Sequence, residues 1–111
     1  MIVETVSGVE IDGDVLYKYF KNLVNLFFKI LPMKENEEDT LGVYLRTLQV
    51  ELLGCKNLIT VLNNDPRMLS LISILQYLID FPECSPREVR REVFHAISIC
   101  NKLKSLYCNY K

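Results

Sequence analysis

The stretch that most constrains this chain is residues 65–80, DPRMLSLISILQYLID. Asp65 is a good N-cap, and Pro66 falls in the first turn, where a proline is tolerated. Met68, Leu69, Leu71, Ile72, Ile74, Leu75, Tyr77, Leu78 and Ile79 leave only a thin polar strip of Arg67, Ser70, Ser73 and Gln76 on a helical wheel. A helix that is apolar on nearly every side has to be surrounded by other protein. At ~1.5 Å per residue it is ~24 Å long, too short to span a bilayer. The pattern predicts the central helix of a small soluble bundle, with the rest of the chain wrapped around it.

With 111 residues, half of them hydrophobic, the chain fits one domain able to bury a core without disulfides or a structural metal. Its 13 lysines and arginines nearly balance 14 acids, so no whole-chain field draws it to nucleic acid or to a membrane. The charge is uneven, however. Arg87, Arg90, Arg91, Lys102, Lys104 and Lys111 face only Glu88 and Glu92 in the last quarter, and the acids dominate before it. The opening MIVETVSGVEID has neither a basic segment nor an apolar run of the kind that starts a secretory signal. Cys55, Cys84, Cys100 and Cys108 form no CxxC pair. Reduced thiols packed as small hydrophobes, in a cytoplasmic chain with no membrane partner, are the expectation.

Residues 1–13 alternate weakly through Ile2, Val3, Val6, Val9 and Ile11, broken by Gly8 and Gly13, and predict a strand-like or irregular N-terminal arm. Residues 14–111 form the helical domain. A first helix is expected from an Asp14 N-cap to about Leu31, stopped by Pro32. Leu16, Tyr19, Phe20, Leu23, Val24, Phe27, Ile30 and Leu31 trace its apolar face, and Val15, Leu26 and Phe28 widen it. After the acidic turn PMKENEED, one helix is expected from an Asp39 or Thr40 cap to about Leu62, kinked at most at Gly54, which otherwise marks a break near residues 53–55 or lets another helix approach closely. Asn63-Asn64 then turns into the central helix. Ser85-Pro86-Arg87-Glu88 has the spacing of a capping box and opens a fourth helix. Its inward residues are Val89, Val93, Ala96, Ile97, Cys100, Leu103 and Tyr107, and the final CNYK is expected to fray. Four helices joined by short connections predict an all-α, antiparallel four-helix bundle.

Few residues offer chemistry. The single histidine, His95, follows Glu92 at the Glu-x-x-His spacing of di-iron bundles, but no second such pair exists. Cys100 lies five positions from His95, on another face of the helix, so the pair makes a poor nucleophile and base. Glu35, Glu37, Glu38 and Asp39 read as a solvated charge run. The glycines are too scattered for a phosphate-binding loop. No enzyme activity, cofactor or metal is therefore expected. Arg87, Arg90 and Arg91 share a ridge that offers phosphate contacts, although Asp80, Glu83 or the acidic 35–39 turn would also pair with them.

The run NLFFKILPMKENEEDTLGVYLRTLQVELLGCKNLI and the later REVFHAISICNKL resemble small uncharacterised helical proteins of bacterial phage-derived and mobile elements. The resemblance covers most of residues 15–105 in pattern, implies a cytoplasmic accessory role, and carries over no functional residues.

These readings converge on a non-enzymatic protein that binds another protein or itself. Val15, Leu26 and Phe28 are the candidate surface of a homodimer, because they exceed what four helices need to bury. The alternative is a small nucleic-acid-binding accessory protein using Arg87, Arg90 and Arg91.

Overall fold

The computed structural model describes residues 2–108 and is mostly helical. The arm forms an antiparallel hairpin of β1 (Ile2–Glu4) and β2 (Glu10–Asp12), with Val3 opposite Ile11. Its turn uses Gly8 at φ +89°, a left-handed conformation that glycine adopts without steric cost. Thr5 supports the same turn, its Oγ1 accepting from the Val9 N–H at 3.0 Å. Val3 is buried and enters the core, so the hairpin is fastened to the helices.

Six helical segments follow: α1 (Gly13–Phe28), α2 (Ile30–Glu35), α3 (Leu41–Leu58), α4 (Thr60–Asn63), α5 (Pro66–Asp80) and α6 (Pro86–Leu106). The first expected helix is capped by Asp12 rather than Asp14, the Asp12 carboxylate accepting from the Asp14 N–H at 3.0 Å. Pro32 ends it earlier than the expected Leu31, with Phe28 the last residue of α1. A proline lacks the N–H that would reach the carbonyl four residues back, here Phe28, and its ring crowds that carbonyl. The helix therefore breaks at Lys29, and Pro32 sits in the first turn of α2, where its missing donor is harmless.

The second expected helix is also divided, but not at Gly54, which lies inside α3. The break is at Ile59, which takes an extended conformation (φ −98°, ψ 120°) and forms an antiparallel bridge with Thr5. Beside it the Val6 N–H donates to the Leu58 carbonyl at 2.8 Å. The hairpin thus supplies backbone bonds where the helix gives them up, and the Ile59 side chain is buried. These two breaks replace four continuous rods with four longer helices and two short ones.

Helix α5 starts as its sequence predicts. Asp65 accepts from the Arg67 N–H at 2.9 Å and holds the Arg67 guanidinium through both carboxylate oxygens, at 3.0 and 2.9 Å. Burial alone would raise the Asp65 carboxyl, but the bonds from Arg67 outweigh it and hold the carboxyl below its ordinary range. Ser70, Ser73 and Gln76 form an exposed strip, joined by Leu69. Central position, however, belongs equally to α6. That helix packs against α1, α2 and α5, whereas α5 packs mainly against α3 and α6. The reason is length and a two-sided stripe. All seven residues expected to face inward are buried, and Ile99 adds an eighth. The capping box is present in full: Ser85 Oγ accepts from the Glu88 N–H at 3.2 Å, and Glu88 Oε1 accepts from the Ser85 N–H at 3.3 Å. Among the described residues no helix is long and apolar enough to cross a membrane. Of the expected frayed CNYK end, only Cys108 lies within the described residues.

Candidate functional site

Helical geometry separates the three residues of the expected self-association surface. Val15 and Leu26 are eleven positions apart, close to three full turns, and share a side of α1. Phe28 is two positions beyond Leu26, about 200° further round. Val15 is exposed, but Leu26 is half-buried against the core, its carbonyl accepting from the Tyr44 hydroxyl at 2.6 Å. Phe28 lies half-exposed on the other side, edge-on to Phe94 of α6 with ring centroids 5.9 Å apart. The three do not form one patch.

The arginine ridge is exposed and partly engaged. Arg90 Nη2 lies 3.1 Å from Glu35 Oε1, joining α6 to α2, and Arg91 Nε lies 3.4 Å from Glu92 Oε2. The acidic 35–39 turn is thus a real partner of the ridge. Arg87 makes no ion pair among the described residues. His95 is exposed and Cys100 is buried, with its thiol pushed up to about 12 by burial. Among the described residues no group of three or more His, Cys, Asp or Glu side chains could hold a metal ion.

A more defined feature lies where the α2–α3 turn meets the α5–α6 connection. Two contacts hold these segments together across a long sequence separation: Lys34 Nζ donates to the Pro82 carbonyl at 2.7 Å, and Arg90 pairs with Glu35. Between the segments runs a groove of about 890 Å³, open along one side. Its floor is apolar, with Ile30, Leu45, Leu78, Cys84 and Val89 buried beneath it. Val43 and Phe81 stand exposed at its lips, Phe81 leaning on the Tyr77 ring at 5.0 Å. The Cys84 thiol is raised above its ordinary range chiefly by burial, with Lys34 acting in the opposite sense.

The rim is acidic. Glu35, Glu37, Glu38, Asp39 and Glu83 line it, against Lys34 and Arg46. Glu37 is placed there by a strained turn. The Glu38 N–H donates to the Met33 carbonyl at 3.0 Å and the Glu37 N–H to the Lys34 carbonyl at 3.1 Å, the two bonds of a Schellman helix ending. Glu37 occupies its left-handed position, φ 52°, where glycine is the usual residue. Sequence reasoning recognised the acidic run as a solvated turn but had no signal that FPECS would lie beside it. Each segment is unremarkable alone, and only the packing of α2 and α6 joins them. Comparison with protein-family models, curated proteins and solved structures gives no match for this chain.

Proposed function

We propose that this chain is a non-enzymatic interaction protein, binding another protein or a second copy of itself, and that the groove is its working surface. The observation that carries the reading is the groove's make-up: an apolar floor, two exposed apolar lips at Val43 and Phe81, and a charged rim. A buried apolar centre inside a polar margin is the usual anatomy of a protein interface. Four free thiols support a reducing, cytoplasmic setting as part of the same proposal.

The test is amide NMR of the full chain over a concentration series and then with added helical peptides. The groove reading expects shifts confined to residues 33–46 and 78–86. A homodimer through α1 would instead move residues 15–28 and Phe94 as concentration rises. Constant spectra throughout, with a monomeric mass by light scattering, would overturn the interaction reading. So would an enzymatic activity abolished by His95→Ala in a folded chain. The nucleic-acid alternative has weaker support, since Arg90 and Arg91 each already hold a carboxylate. It requires salt-sensitive binding to a generic duplex.

A further inference from the structure

Resting on that reading, we infer that the groove's partner is a basic amphipathic helix, its apolar stripe seated on the floor and its lysines or arginines along the rim. Charge sets the sign of the partner. Of the rim carboxylates only Glu35 is in an ion pair among the described residues, and Lys34 is turned to the Pro82 carbonyl. Glu37, Glu38, Asp39 and Glu83 therefore face a bound segment with Arg46 as the main opposing charge.

The carboxylates do not gather into a metal-holding group among the described residues, so they suit several cations spaced along a segment better than one ion. Geometry favours a helical segment over an extended one. The groove is walled by the ends of α2, α3, α5 and α6, and among the described residues it offers no strand edge for an added strand to pair with. A helix presents an apolar and a charged stripe side by side, which matches floor and rim.

The experiment uses the full chain and three synthetic helical peptides of one length: leucine with lysine, leucine with glutamate in the same pattern, and lysine with serine. Affinity is read by fluorescence anisotropy at low and high salt. The leucine–lysine peptide is expected to bind best and to weaken with salt. The double substitution Glu38→Gln with Asp39→Asn should weaken it roughly five- to tenfold at low salt, the scale of two exposed ion pairs. Glu37→Gly should weaken it as well while raising the melting temperature, which separates lost binding from lost folding. Leucine–lysine binding that ignores all three rim substitutions would overturn the proposal. Binding of the leucine–glutamate peptide, lost on Phe81→Ser, would overturn the basic partner and keep the interaction reading. If no peptide moves the groove's amide signals and the chain does not self-associate, both fail.

Discussion

Two tyrosines packed against the core show how differently one side chain behaves when its hydroxyl is or is not partnered. The Tyr44 hydroxyl donates to the Leu26 carbonyl at 2.6 Å, tying α3 to α1. The Tyr19 hydroxyl is buried and makes no hydrogen bond among the described residues, although the Cys55 thiol is close enough to perturb it. Burial pushes the Tyr19 hydroxyl above the ordinary tyrosine range and lifts the Cys55 thiol to about 11. A buried polar group without a partner keeps its desolvation cost and gains nothing back. Tyr19→Phe is therefore expected to leave stability unchanged or raise it by about 1 kcal/mol, whereas Tyr44→Phe lowers it by about 1 kcal/mol. Urea denaturation of the two variants checks the contrast, and equal losses would contradict it. Neither role was legible in the sequence, because both tyrosines sit on apolar faces and only the neighbouring helix decides which hydroxyl meets a carbonyl.

Among the helical elements, the two breaks carry the instructive cases. Pro32 and Gly54 are the residues a sequence reading reaches for, and neither marks the residue at which the chain leaves the helix. Proline acts on the carbonyl four residues before it, so Pro32 interrupts the helix near Phe28 and Lys29 and then rides in the first turn of α2. Gly54 is simply a helical residue. Among the described residues a Cβ there would meet no atom within 4 Å, and its backbone has no left-handed angle to protect. Gly54→Ala should therefore stabilise the chain by about 0.5–1 kcal/mol through helix propensity alone. A thermal melt tests this, and a lower melting temperature would show that Gly54 serves a close approach. The capping box at Ser85 and the N-cap at Asp65 were both legible, because their bonds close within three residues.

Across the whole molecule, the hairpin is what local pattern understated. Its strands are three residues each, too short to persist alone. They persist because Val3 is buried in the core and because Thr5 and Val6 bond to the chain at Ile59 and Leu58. The hairpin and the α3–α4 break stabilise one another. Val3→Ala should cost about 1–2 kcal/mol and lower a single transition seen equally in far- and near-ultraviolet circular dichroism. Val9→Ala, at an exposed site in the same hairpin, should change stability by less than about 0.5 kcal/mol. An early, separate loss of the hairpin in the Val3 variant would show instead that it is an independent appendage.

By itself the sequence determined the approximate positions of the long helices, the start signals of α5 and α6 and most of the buried faces. Those depend on periodicity and on caps, whose interactions span three or four residues. Tertiary structure alone decided that Ile59, not Gly54, leaves the helix, since the strand that accepts it begins more than fifty residues earlier. It also decided that α6 shares the centre with α5, and that an acidic turn and a proline-rich connection enclose a groove. Residues far apart in sequence leave no mark on each other's local pattern. Their meeting is fixed only when the apolar faces of whole helices find one arrangement that buries them together.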